Sequence, residues 1–295
     1  MELRSSGGQR TAFAESTLRQ ELARAGLVDF KSSWHSYSGG RTNAIWRIDD
    51  GTTTIVCKLY SDASGSPLFP NDAGAEALAL RALAGTGIAP ELVAEHLTSL
   101  GPCLLYRHIE GTPFSGDPAL VARALSRLHT QPPPIGIRQI KSDPDALYRQ
   151  GDRILDACTG PIAKNLRDRR PEIKHQSRCE PVFLHGDAVP ANMISGPNGL
   201  TLIDWQCPAL GCPVEDLAIF LSPAMQSLYG GRVLDEVSQE CFLAAYGNPN
   251  ATQSYLALKP LLHWRMAAHC LWKSDRGFED YSAAMELELE QLKQL

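Results

Sequence analysis

Residues 183–205 read FLHGDAVPANMISGPNGLTLIDW. Two apolar pairs, Phe183-Leu184 and Met193-Ile194, bracket a polar centre that holds His185, Asp187 and Asn192. A plain hairpin would need only a turn between them. Asp187 and Asn192 stand five residues apart, so one loop presents a carboxylate and a carboxamide oxygen together. Twelve residues beyond Asn192, after the apolar run Leu200, Leu202 and Ile203, stands a second acid, Asp204, followed by Trp205. Phosphoryl transfer uses such a set. The first carboxylate takes the proton of an attacking hydroxyl, while the amide oxygen and the second acid are the hard donors that Mg²⁺ prefers. Turns favour Asp and Asn, so any one of these residues alone is an ordinary turn residue. The ordered set carries the reading.

His185-Gly186-Asp187, Asn192 and Ile203-Asp204-Trp205 together resemble the catalytic and metal-binding loops of the aminoglycoside phosphotransferase and choline/ethanolamine kinase superfamily. The resemblance implies a protein-kinase-like fold and transfer of the γ-phosphate of ATP to a small-molecule hydroxyl. It implies that Asp187 is the catalytic base, that Asn192 and Asp204 bind Mg²⁺, and that His185 braces the loop. It also requires three features upstream, and each is present in order. Ser38-Gly39-Gly40-Arg41-Thr42-Asn43 is a glycine turn whose backbone can approach phosphates, and it resembles the Gly-Gly-x-Thr-Asn segment of the choline and thiamine kinase branch. Lys58 sits in the apolar strand Ile55–Tyr60, on the face shared with Val56 and Tyr60. Taken alone it is a lysine on the solvent side of an edge strand; in this order it is a cation for the α- and β-phosphates. Glu76 is the only acid within the helix expected over 73–84, and so the natural partner of Lys58. Leu104–Gly111 resembles the family's last strand and interlobe hinge, which implies that the backbone of Arg107, His108 and Ile109 meets the adenine edge.

The remaining sequence divides accordingly. Leu18, Leu22 and Ala25 share one face of a helix over 14–25, and Gly26 stops it. Residues 34–60 read as three antiparallel strands split at Gly39-Gly40 and Asp50-Gly51. A helix over 71–84, capped by Asn71 or Asp72, and strands near 91–97 and 102–106 complete this part. Asp117-Pro118 opens a helix to about His129. Helices dominate beyond it, with short strands near 181–184, 192–195 and 200–203. The expected fold class is α+β and two-lobed: a small antiparallel-sheet nucleotide-binding lobe over 1–106, a hinge over 107–111, and a larger mostly helical lobe over 112–295 with the catalytic loop and substrate site.

Composition excludes some partners. The net charge of −5 offers no nucleic-acid groove or polybasic membrane surface, and no run approaches the length of a membrane span. The N-terminus lacks the apolar core of a signal peptide. None of the eight cysteines forms a Cys-x-x-Cys pair, and several lie in apolar runs, so reduced thiols in a cytoplasmic protein are expected. His129 reads as a capping or packing residue; Gly211–Ala218 resembles a family segment in which the acid before Leu-Ala is structural, which implies that Asp216 braces the loop, with the role of Glu215 left open. His263, Trp264, His269 and Trp272 share a helix and read as core. The acids of MELELEQL, residues 285–292, read as a solvated helix face.

The function expected is therefore an ATP- and Mg²⁺-dependent phosphotransferase acting on a small-molecule alcohol. A choline-, ethanolamine- or thiamine-like metabolite is preferred slightly over an aminoglycoside. A quaternary amine would want an aromatic cage, for which Trp205, Trp264, Trp272 and Tyr281 are available. An aminoglycoside would want acids, for which Asp275, Glu279 and Asp280 are available. The alternatives are a catalytically silent kinase-fold nucleotide-binding module and a protein kinase proper. The first would be marked by loss of a chemical group, and none of Lys58, Glu76, Asp187, Asn192 and Asp204 is lost.

Overall fold

The computed structural model describes residues 5–37, 42–61, 65–173 and 179–294. Helix α1 (Ser5–Arg24) begins earlier than its apolar face suggests and ends where expected: Gly26, at φ +71°, lets the Leu27 N–H reach the Leu22 carbonyl. Strands β1 (Ser33–Ser36), β2 (Ala44–Asp49) and β3 (Thr54–Leu59) are antiparallel. The β2–β3 turn is tied by the Asp50 carboxylate, which accepts from the Thr52 and Thr53 amides. Asp72, rather than Asn71, caps α2 (Ala73–Ala82) by accepting from the Ala75 N–H at 3.0 Å. Strands β4 (Leu92–Thr98) and β5 (Gly101–Arg107) then close a five-stranded sheet of order β1-β2-β3-β5-β4.

β3 is thus an interior strand, covered on both faces. Ile55, Cys57 and Leu59 pack with Trp34, Trp46 and the α1 residues Leu18 and Leu22. Val56 and Tyr60 join the second, larger core with Leu80, Leu104 and Tyr106. Lys58 lies on that second face and is 1% exposed, so it is not an edge lysine in water.

β6 (Thr112–Pro113) follows, then α3 (Pro118–His129), α4 (Pro144–Asp156) and α5 (Pro161–Asp168). Asp117 and Asp143 each cap a helix whose first residue is proline. Four short strands come next: β7 (Val182–Leu184), β8 (Met193–Gly196), β9 (Gly199–Leu202) and β10 (Ala209–Gly211). β7 pairs with β10, and β6 adds to the β8–β9 hairpin, so both ends of the 185–192 loop leave a paired strand. Five helices finish the chain: α6 (Val214–Leu221), α7 (Pro223–Gly230), α8 (Glu236–Tyr246), α9 (Pro249–Ser274) and α10 (Asp280–Gln294). α9 is the axis of this part. Its Trp264 is fully buried, donates its indole N–H to Leu166 O at 2.8 Å, and lies over Gly151 of α4. The architecture is the expected α+β plan of an N-terminal antiparallel sheet and a helical C-terminal part. Among the described residues, no helix is long and apolar enough to cross a membrane.

Two expectations fail. Cys179 and Cys212 are joined in a disulfide, so the thiols are not all reduced; their separation of 33 residues hid a proximity that only the fold creates. The tail acids are not uniformly solvated either. Glu286 and Glu290 are exposed, but Glu288 is buried and accepts from Ser222 Oγ and the Ala224 N–H, with His263 Nδ1 at 2.5 Å.

Candidate active site

The loop after β7 is held from behind by one carboxylate. Asp216, in the first turn of α6, accepts from the backbone N–H groups of His185 and Gly186, both at 2.8 Å, and from His129 Nε2 at 3.0 Å. His129 Nδ1 lies 2.7 Å from the Tyr246 hydroxyl, which extends the brace to α8. Burial alone would raise the Asp216 carboxyl, but His129, His185 and the Gly186 amide outweigh it and hold the group below the ordinary carboxylate value. Gly186 adopts φ +79°, and a Cβ there would fall 2.1 Å from the Cys207 carbonyl oxygen, so only glycine fits.

His185 orients rather than reacts. Its Nε2 donates to Ile203 O at 3.0 Å, its Nδ1 accepts from the Asp187 N–H at 3.2 Å, and its ring stands edge-on to Trp205 with centroids 4.5 Å apart. Burial lowers its pKa, which favours the neutral ring that this bonding pattern requires.

Asp187 emerges half-buried from this frame. Burial, with the Asp204 charge adding to it, pushes its carboxyl up to about 7, partly offset by a hydrogen bond from Asn192. The Asn192 amide donates through Nδ2 to Asp187 O at 3.0 Å and Oδ2 at 3.2 Å, and among the described residues Oδ1 is left as its unused acceptor. Asp204 follows β9 at φ +63°, the only non-glycine at positive φ among the described residues.

Lys58 meets Glu76, the acid expected of it, and Asp204 as well. Its Nζ lies 2.5 Å from Glu76 Oε2 and also contacts Asp204 Oδ1, while the Tyr60 hydroxyl donates to the same Glu76 oxygen. Burial would lower the ammonium's pKa, but Asp204 and Glu76 reverse the sign and hold it above its ordinary value. The Glu76 carboxyl is raised by burial, against the pull of Lys58. Desolvation of this cluster is large, and only the dense pairing offsets it.

Two cavities meet here. One of about 260 Å³ is lined by Lys58, Tyr106, Asn192 and Asp204. The other, of about 230 Å³, is lined by Phe69, His269, Trp272 and Arg276. Asp187, Thr42, Gln206 and Tyr229 line both. The first suits a hard cation bound together with phosphates. Asn192 Oδ1 and the Asp204 carboxylate are two oxygen donors in one wall, and Mg²⁺ takes few protein ligands, completing its shell with phosphate oxygens and water.

Some expected residues sit differently. Ser38, Gly39 and Gly40 lie outside the described residues. Asn43 lines the first cavity, but its amide is engaged: Nδ2 donates to Asn71 Oδ1 at 2.8 Å and to Gln206 Oε1 at 3.1 Å. It therefore links the sheet to the segment after Asp204. The N–H groups of Arg107 and His108, expected at an adenine edge, are bonded to Glu91 O and Thr54 O. Trp205 and Trp264 are fully buried and cannot form a cage. His269 and Trp272 are buried and half-buried against the core, as expected, but they also line the second cavity, which the core reading does not anticipate. With Lys273 and Arg276 they recur at i, i+3, i+4 and i+7 on α9 and just beyond it, and this mixed stripe of rings and cations is the signal that marks the surface.

The model of the phosphotransferase enzyme family matches residues 33–259, well over half of the chain. Among solved structures, a choline kinase from Cryptosporidium parvum superposes with a TM-score of 0.67 at 14% identity, covering 97% of this chain and 96% of that one. A choline/ethanolamine kinase family protein from Mesorhizobium loti gives 0.62 at 17%, covering 94% of each chain. An aminoglycoside phosphotransferase in ternary complex with AMP-PNP and hygromycin B gives 0.64 at 12%, covering 94% of this chain and 98% of that one. No curated protein matches the sequence.

Proposed function

The chain belongs to the phosphotransferase enzyme family, and from that premise we propose that it transfers the γ-phosphate of ATP, taken as the Mg²⁺ complex, to a hydroxyl of a small molecule. One observation carries the reading: Asp187 stands in the wall common to two cavities, one holding the cation and oxygen donors that a triphosphate needs, the other free for an acceptor.

Lys58, steadied by Glu76, is the cation for the α- and β-phosphates, and Asn192 with Asp204 would hold Mg²⁺. When bound, the metal offsets charge on the phosphate oxygens. Asp187 orients the acceptor hydroxyl and takes its proton as the acceptor oxygen bonds to the γ-phosphorus and the bond to the β-phosphate oxygen breaks. The Asp216–His129 brace and the His185 ring keep the loop in register, so that little reorganisation accompanies the step. Apart from Asp187, no carboxylate lines the acceptor cavity among the described residues, which favours a metabolite over an aminoglycoside.

The test is phosphate transfer from ATP to amino alcohols, vitamins, sugars, hydroxy acids and aminoglycosides, with Asp187→Asn as the blank. The variant should keep ATP affinity and lose about 10²- to 10⁴-fold in kcat. Near-normal turnover by it would remove Asp187 from the mechanism.

A further inference from the structure

Among the described residues, the acceptor cavity is lined by two cations, Lys273 and Arg276, against one carboxylate, Asp187, the wrong sign for an ammonium alcohol. We infer that the acceptor is an alcohol carrying an anionic group, a carboxylate, on a compact aromatic or apolar body, and that Arg276 selects for it; this rests on the kinase reading above.

Three observations point the same way. The first is the lining. Among the described residues, Lys273 and Arg276 line the cavity while Asp187, reserved for the hydroxyl, is its only carboxylate. Asp275, Glu279 and Asp280 lie nearby in sequence, yet none lines it. The adjoining cavity, which shares Phe69, continues the sign with Arg138, Lys141 and Arg153, and its Glu215 is bound to Arg265 at 2.6 Å.

The second is that the aromatic cage is already filled. Trp272, Phe278 and Tyr281 are the rings a quaternary ammonium would seek, but Lys273 Nζ lies 4.7 Å from the Phe278 centroid and 5.9 Å from each of the other two. The Arg276 guanidinium covers Trp272 at 3.9 Å. An incoming ammonium would have to displace like charges from those faces. Arg276 is anchored by the Trp272 and Ala157 carbonyls, which position it and leave its net charge intact.

The third is His269. It is 1% exposed and lines the cavity, and its Nδ1 is buried without a hydrogen-bond partner among the described residues. Buried polar atoms are rarely left so, and in a cavity wall a water or a ligand oxygen would satisfy this one. Burial, helped by Lys273 and Arg265, holds its pKa at about 3, so the ring is neutral and can donate one N–H to an oxyanion. Phe69, edge-on to the His269 ring with centroids 5.0 Å apart, adds an apolar surface to the same wall.

The experiment compares three alcohols on one phenyl body: tropate, its methyl ester, and the corresponding amino alcohol, with choline alongside. We expect kcat/KM to rank carboxylate, ester, ammonium, with at least about tenfold between the ends. Arg276→Gln, at an exposed position that spares the core, should lower kcat/KM for tropate about tenfold, chiefly through KM, and change the ester little. A preference for choline or the amino alcohol, or an equal response of acid and ester to Arg276→Gln, overturns the inference and leaves the kinase reading standing. If no alcohol of any charge takes phosphate, the kinase reading fails instead. Calorimetry with phenylpropionate and phenylpropylammonium then decides the inference by itself. Tighter binding of the anion, weakened in Arg276→Gln, supports it, and equal or inverted binding overturns it.

Discussion

The Asp187 carboxyl, pushed up to about 7, sits at the pH where a general base is both deprotonated and able to accept. Because it must be ionised to take the proton, kcat/KM against ATP should rise as pH passes about 7 and level above it. A flat profile from pH 5.5 to 8.5 would assign the base elsewhere. The same shift acts on stability with a definite sign. The folded pKa is raised above the unfolded one, so Asp187 contributes stability at low pH and loses it as pH rises through about 7. Asp187→Asn should therefore gain thermal stability relative to the native protein at pH 8, and gain less at pH 5. Equal differences at the two pH values would contradict the burial argument.

At the scale of elements, the loop is positioned by α6, α3 and α8 through Asp216, His129 and Tyr246. Asp216→Asn keeps the size of the side chain but weakens two amide bonds and the histidine bond. It should lower kcat by up to about 100-fold with little change in KM for ATP, since misplacement by about an ångström costs that much. An unchanged kcat would free the loop from this brace. A contrasting site is Gly151. A Cβ there would fall 2.1 Å from the Trp264 ring, so Gly151→Ala should destabilise the α4–α9 contact by about 1–3 kcal/mol in urea unfolding. Loss of activity without loss of stability would refute that reading.

These examples also mark where sequence stops being legible. Lys58, Glu76, Asp187, Asn192 and Asp204, which the fold brings together, could be proposed because phosphoryl chemistry restricts both residue type and chain order. Asp216 was visible as a brace, but its partner His129 was not, since the contact spans 87 residues. β6 and β10, of two and three residues, are too short for periodicity to register. His269 and Trp272 were read as core because helical spacing gives a face but not what the face meets. Asn43 looked like a phosphate-turn residue, yet its amide is spent on Asn71 and Gln206.

The whole molecule adds constraints that no local pattern carries. The Cys179–Cys212 bond leaves six cysteines as free thiols. Thiol titration of the unreduced, unfolded chain should count six groups, and a reductant should cost about 2–4 kcal/mol of stability, the usual range for such a crosslink. A count of eight would show that the pair does not form. The Lys58 bridge spans more of the chain, 146 residues, and fastens a strand of the sheet to Asp204 from the helical part. On the proposed reading, an arriving triphosphate would not meet a lone ammonium in water: it would take over a place that Asp204 holds and free that carboxylate for a cation. Recognition would then be a trade of anions around one fixed lysine, with little net gain in charge pairing, and nucleotide affinity should respond to salt far less steeply than the charge on ATP alone implies.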